Sequence, residues 1–246
     1  MTSANDKRVI IVTGASRGLG KAIALTFGAA GCCVIIAFRE YEQAACMVGD
    51  AIRAAGGEAR IIKMDVRSTD DVANMVEQTL KHWGAIDVLV NNAGLTYDGP
   101  LLRMSEEQWD QVIDTNLTGA FHCIRGVSQH MCNRANGHII SIASIVGLQG
   151  REGQANYSAS KAGLIGLTKA CAKEFGTQNV KVNTVLPGYL LTDMGSAISG
   201  SLQDRILREH TLGRSTDLEE VADFVYHLSL MRNVSGQVFN LDSRIV

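Results

Sequence analysis

The sequence predicts an α/β fold: a doubly wound parallel sheet in a single domain spanning residues 1–246. Three observations carry that prediction. Short apolar runs alternate with helical patterns from one end of the chain to the other. The runs VIIV, VIIA, DVLV, HIISI and KVNTVL lack polar alternation, which suits strands buried on both faces of a parallel sheet. No Pro/Gly/Ser-rich linker, repeat or low-complexity stretch divides the 246 residues, a length sufficient for one large core.

The elements follow in order. Arg8–Thr13 reads as a strand, Gly18–Ala30 as a helix and Cys33–Phe38 as a strand. Glu42–Ala55 is helical, Arg60–Met64 extended and Thr69–His82 helical. Ile86–Asn91 is a strand, followed by one long helix over Glu106–Cys132. His138–Ala143 is extended, Gln154–Phe175 helical and Val180–Leu186 extended. Leu218–Leu230 is a helix, and Gln237–Leu241 the last strand. Tyr189–Thr211 is expected to be mobile, because it follows a strand end and is rich in Gly and Ser.

Composition narrows the function classes. A net charge of −2 argues against general nucleic-acid binding, which needs a basic field. Val9–Val12 is far too short for a membrane span, and no signal-peptide pattern precedes it. The expectation is a soluble, cytoplasmic protein with neither nucleic-acid nor membrane partner. None of the six Cys forms a C-x-x-C pair, and the six His show no ligand spacing. Buried, reduced thiols and no catalytic metal are expected.

The first strand runs into T-G-A-S-R-G-L-G, which includes Gly14, Ser16, Arg17, Gly18, Leu19 and Gly20. Glycines there allow a tight turn and close backbone approach, and the following helix offers free N–H groups to a pyrophosphate. A Walker loop fits poorly: five residues separate Gly14 from Gly20, and Ala22 stands where a Mg²⁺-binding hydroxyl belongs. At the end of the second strand an NAD site usually carries an acid. Phe38 stands there instead, with Arg39 next and Glu40 one step later. Arg17 and Arg39 suit an added 2′-phosphate, so NADP (NADPH) is the expected cofactor. Asp65, followed by Val66, is placed either to accept from an adenine amino group or to cap the next helix. N-N-A-G brings Asn92, Ala93 and Gly94 to the end of the fourth strand, where small residues allow backbone contact with a cofactor.

Ser144 follows a strand, and Tyr157 comes thirteen positions later, with Lys161 at i+4 on the same helix face. A nearby ammonium, helped by a positively charged nicotinamide, is expected to lower the phenol pKa from about 10, so that Tyr157 trades a proton with a carbonyl or alcohol. Ser144 can hold the carbonyl oxygen as charge develops. Lys161 has room to bond the nicotinamide ribose as well. Asn116 can bend its helix and bind a water that carries protons from Lys161, or serve structure alone. Pro187, Gly188, Leu190 and Thr192, in P-G-Y-L-L-T, are expected against the nicotinamide end of the cofactor.

T-G-x-x-x-G-x-G, N-N-A-G, Asn116, Ser144, Tyr157, Lys161 and P-G-x-x-x-T together resemble the ordered motifs of the short-chain dehydrogenase/reductase family, over roughly Lys7 to Asp242. The resemblance implies a Rossmann-type fold of seven parallel strands and a tetrad: Asn116 for the water relay, Ser144 for the substrate oxygen, Tyr157 as acid/base and Lys161 as its tuner. It also implies a homotetramer that pairs the helices around 106–132 and 154–175. Within the family, the stretches T-G-A-S-R-G-L-G-K-A-I-A, G-Q-A-N-Y-S-A-S-K-A-G-L-I-G and P-G-Y-L-L-T-D-M look most like 3-oxoacyl-[acyl-carrier-protein] reductases. That implies an NADPH-dependent reduction of an acyl thioester substrate, carried by acyl carrier protein or CoA, in fatty acid biosynthesis. Arg134, Lys169 and Lys173 form either a basic surface for the acidic carrier or a solvated face. Three features depart from the pattern: L-D-S-R-I-V replaces a frequent D-G-G, Leu218 a frequent Pro, and Cys132 with Asn133 common basic residues. Two further functions stay open: reduction of another ketone (polyketide, sugar, steroid or small alcohol), and a non-catalytic cofactor-binding scaffold.

Overall fold

A computed structural model describes residues 7–191 and 200–244. Seven parallel strands form one sheet: β1 (Val9–Thr13), β2 (Cys33–Phe38), β3 (Glu58–Lys63), β4 (Val88–Asn91), β5 (Gly137–Ile142), β6 (Val180–Leu186) and β7 (Val238–Asn240). Their order is β3-β2-β1-β4-β5-β6-β7. Winding runs outward from β1 in one direction and outward from β4 in the other. The β1/β4 border is therefore a topological switch point, where the strand carboxyl ends leave a crevice.

Strand alternation assigns the two faces. Ile10, Val12, Val34 and Ile36 pack with helices α1 (Gly18–Ala29) and α2 (Glu42–Ala54). Val221, Val225 and Leu228 of a late helix, Leu218–Leu228, join that core. Ile11, Ile35, Leu89 and Ile139 point the other way. They meet α3 (Thr69–Trp83), α5 (Gly119–Asn133) and α7 (Ala155–Phe175). Both faces are dry, so the absence of polar alternation in the strand sequences has its physical reason.

Local signals end the helices where chemistry requires. Ser68 caps α3 by accepting from the Asp71 N–H at 3.2 Å, and Gly84 closes it in the left-handed region at φ 70°. Ser105 and Gln108 form a reciprocal capping box at the start of α4 (Glu106–Ile113). The expected single helix over Glu106–Cys132 is corrected. α4 and α5 are joined by a π turn over Asp114–Thr118, in which the Gly119 N–H reaches the Asp114 carbonyl five residues back. Two strands begin two residues from where the pattern suggested, β3 at Glu58 and β4 at Val88. A short helix α6 (Val146–Gln149) was not anticipated. Of the stretch expected to be mobile, residues 192–199 lie outside the described residues, while Gly200–Glu209 form a helix, α8. The helix over Leu218–Leu228 is accordingly α9.

All six cysteines are free thiols: Cys32, Cys33, Cys123 and Cys171 are buried, Cys132 partly so, and Cys46 exposed. Burial pushes the Cys33 thiol up to about 11 and the Cys123 thiol up to about 12. Among the described residues, no helix is long and apolar enough to cross a membrane.

Candidate active site

A cavity of about 550 Å³ runs along the carboxyl ends of the strands, across the switch point. One end is the turn between β1 and α1. Gly14 sits there at φ +64°, and an added Cβ would lie 3.0 Å from the Ala93 Cα. A Cβ on Gly20 would lie 2.4 Å from both the Asn92 Nδ2 and the Gly14 carbonyl oxygen. The β1 and β4 loops are thus held in direct contact, and only glycine fits between them. Asn92 Nδ2 donates to the Thr13 carbonyl at 2.9 Å and to the Gly14 carbonyl at 3.2 Å. Thr13 Oγ1 in turn accepts from the Asn92 and Ala93 N–H groups, each at 3.0 Å. Ser16, Gly18 and Leu19 complete this wall with Gly94 across from them.

Arg17 and Arg39 both line the same end, as do Asp65 and Val66. The Arg17 guanidinium lies over the Tyr41 ring, 4.4 Å from its centroid, and Arg39 pairs with Glu40. Both oxygens of the Asp65 carboxylate are engaged by Arg67, which holds it below the ordinary carboxylate range against the effect of burial. The helix-cap alternative for Asp65 is corrected: Ser68 caps α3, and the Asp65 N–H instead donates to Asp71 Oδ2 at 2.8 Å.

The other end gathers Ser144, Tyr157 and Lys161. The Ser144 hydroxyl lies near enough to the Tyr157 phenol to favour its ionised form. Ser144 Oγ also accepts from the Val146 N–H at 3.3 Å, which fixes it just past β5. Lys161, 4% exposed, donates from Nζ to the Ile142 carbonyl at 2.8 Å. That Nζ lies 5.5 Å from the Tyr157 ring centroid. Burial pushes the Lys161 ammonium down to about 8. The lowered phenol pKa was expected with a positively charged nicotinamide alongside; in the protein alone, burial pushes Tyr157 up to about 12, the Ser144 hydroxyl works the other way, and the Asp98 carboxylate adds to the rise. One Lys161 donor is taken by the Ile142 carbonyl.

Asn116 stands behind the cavity wall, not in it. Its Oδ1 accepts from the Leu95 N–H and its Nδ2 donates to the Leu95 carbonyl, both at 2.9 Å, and Nδ2 also reaches Ser160 Oγ at 3.1 Å. It ties the β4 loop to α7, and the π turn gives it the reach to do so. Pro187, Gly188 and Leu190 line the cavity beyond β6, whereas Thr192 lies outside the described residues.

Gln154, in a stretch expected to shape the substrate pocket, donates from Nε2 to Asp98 Oδ2 at 2.9 Å and lines the cavity with Tyr157. Other lining residues escaped the sequence. Tyr189, Ile206 and Arg244 add a wall from the far end of the chain. Arg244 Nε donates to Asp242 Oδ1 at 2.9 Å. Ser243 bonds the buried His210 at 3.0 Å and accepts from Thr211 Oγ1 at 2.7 Å. The Ser243 contacts join residues more than 30 positions apart, and only the departure D-S-R from D-G-G marked this end of the chain. Thr13 was visible in the first motif, but its role in bridging β1 to the β4 loop was not.

The family model for short chain dehydrogenases matches residues 8–202. The chain belongs to that family. It is 41% identical, over 94% of this chain and 96% of the relative, to a 3-oxoacyl-[acyl-carrier-protein] reductase, FabG, of Staphylococcus epidermidis. It is 44% identical to a 3-oxoacyl-[acyl-carrier-protein] reductase of Synechocystis sp., over 97% of each chain. Among solved structures, a variant of actinorhodin polyketide ketoreductase, crystallised with NADPH, superposes with a TM-score of 0.92 at 35% identity over 97% of each chain. The seven-stranded Rossmann-type sheet is therefore the short-chain dehydrogenase fold.

Proposed function

We propose that the chain is an NADPH-dependent reductase that converts a 3-oxoacyl thioester to the 3-hydroxyacyl thioester. The observation that carries this is that Ser144, Tyr157 and buried Lys161 line one cavity with the glycine turn and two arginines. Two relatives named as 3-oxoacyl-[acyl-carrier-protein] reductases, matched over nearly their whole length, support the thioester. A structural neighbour solved with NADPH supports the cofactor.

The cavity lining suits that cofactor. Gly18, Leu19 and Gly20, at the N-terminus of α1, line it, and their N–H groups would meet a pyrophosphate there. Gly14, Ser16, Gly18 and Leu19 would hold the phosphates, and Arg17 with Arg39 the 2′-phosphate. Asp65 and Val66 would flank the adenine. Asn92, Ala93 and Gly94 would line the middle, and Pro187, Gly188, Leu190 and Thr192 the nicotinamide end. NADPH, when bound, supplies a hydride.

The chain's own residues handle the oxygen. Ser144 donates to the substrate carbonyl oxygen and stabilises the charge that grows there. Tyr157, kept protonated by burial, gives that oxygen its proton. The Lys161 ammonium balances the resulting phenolate and bonds the nicotinamide ribose. Asn116 is the proposed anchor of the proton relay behind Lys161, and its side chain fixes the Leu95 segment that borders the site.

The proposed setting is a single-domain cytoplasmic enzyme of fatty acid biosynthesis. Exposed Lys169 and Lys173 on α7 suit an acidic carrier protein, while Arg134 is partly engaged by Asp87 at 3.3 Å. The proposed assembly is a homotetramer. NADPH oxidation is to be followed with acetoacetyl-CoA and with acyl-carrier thioesters of graded length. Consumption is expected with at least one; no absorbance loss at any length rejects the assignment. The ketoreductase neighbour favours one alternative, a polyketide ketone, which turnover of cyclic ketones in place of thioesters would support.

A further inference from the structure

At the glycine-turn end of the cavity, each arginine already has a partner from the segment that joins β2 to α2. The Arg17 guanidinium carbon lies 4.4 Å from the centroid of the Tyr41 ring. Arg39 Nε donates to Glu40 Oε1 at 2.9 Å, and Nη2 bonds the same oxygen. All four residues line the cavity. None braces the core: the Arg39 and Glu40 side chains are 43% and 57% exposed, and Tyr41 is 47% exposed. Contacts this open contribute little to stability, so their placement calls for another reason.

We propose that Tyr41 and Glu40 are specificity-determining residues for the 2′-phosphate of the cofactor. Tyr41 holds Arg17 in position to receive the phosphate, and Glu40 occupies Arg39 until a stronger anion displaces it. This rests on the NADPH reading above. The physical basis is competition for guanidinium. A ring face adds a restraint on a long side chain through cation–π attraction, so less conformational freedom is lost when phosphate arrives. A phosphate with close to two negative charges can take Arg39 from a singly charged, solvated carboxylate. A ribose 2′-hydroxyl is neutral and cannot, but it can donate to Glu40. The same acid thus opposes NADPH slightly and tolerates NADH, while Tyr41 acts only on NADPH.

The test is fluorescence titration of NADPH and NADH, at low and moderate salt, on the wild type, Tyr41→Ala, Tyr41→Phe and Glu40→Gln. Tyr41→Ala should weaken NADPH by about two- to fivefold and leave NADH unchanged. Tyr41→Phe should keep wild-type values, since the ring face survives. Glu40→Gln should tighten NADPH by a similar factor, more at low salt, and raise the NADPH/NADH preference. Retained NADH binding reports an intact fold in each variant. An unchanged preference in Tyr41→Ala, or equal weakening of both cofactors, overturns the role of Tyr41. An unchanged or lowered preference in Glu40→Gln overturns that of Glu40. A wild type that binds both cofactors equally overturns the NADPH reading itself, and the inference with it.

Discussion

Burial raises the phenol of Tyr157 to about 12 and lowers the ammonium of Lys161 to about 8. For a reductase the two shifts have opposite value. A protonated phenol is the form that donates to a ketone, whereas a neutral lysine no longer balances the phenolate left behind. The kcat/KM for NADPH oxidation should therefore fall as pH rises through about 8, with Lys161 setting the limb. A pH–rate profile checks this, and a rate that climbs through that range would contradict the assignment. Tyr157→Phe should lower kcat by about 10² to 10⁴ while leaving NADPH binding in place. The sequence singled these residues out by their spacing together with Ser144 and the upstream glycine loop. Their protonation was not legible there, because it depends on desolvation and on Asp98, a residue 59 positions away whose approach no local pattern encodes.

Among elements, the β1–α1 turn and the β4 loop behave as one unit. Gly20 gives Asn92 room to bond two carbonyls of the opposite turn, so this glycine serves packing as well as phosphate approach. Gly20→Ala should destabilise by about 1–3 kcal/mol through overpacking. It should also weaken NADPH binding by more than tenfold; thermal melts and a binding titration read the two separately. Most element cores could be read from apolar runs and caps such as Ser68 and Ser105. The π turn at Asp114–Thr118 could not: its residues have ordinary helical periodicity, and the Asn116 bond to Leu95, in the loop after β4, is a contact that no local pattern encodes. Helix α8 was likewise missed, since its Gly200 start and serines resemble a loop.

For the whole molecule, the sheet and the two dry faces followed from alternation, while strand order needed the βαβ handedness that tertiary packing enforces. One buried group sets an acid limit. Burial, with Lys181 and Arg8 nearby, pushes His138 down to about 4. A folded pKa below the ordinary value means that its share of stability is present above about pH 6.5 and is lost as pH falls toward 4. That share is on the order of 3 kcal/mol. His138→Gln, which can still accept from Asn183, should lose less stability than the wild type between pH 7 and 4.5 in thermal melts. Phe121, 40% exposed on α5, belongs to the face expected to pair in a tetramer. Phe121→Glu should lower the mass seen by light scattering; an unchanged mass would remove that face from the assembly. The position of β1 has one more consequence, for the order of assembly. It is the first strand in the described chain and lies in the interior of the finished sheet, third of seven. Its β2 edge is filled about 20 residues later, but its other edge waits for Val88–Val90. A nascent chain, or a fragment that stops before Val88, holds Val9–Thr13 as an open apolar edge, a template for aggregation until β4 arrives.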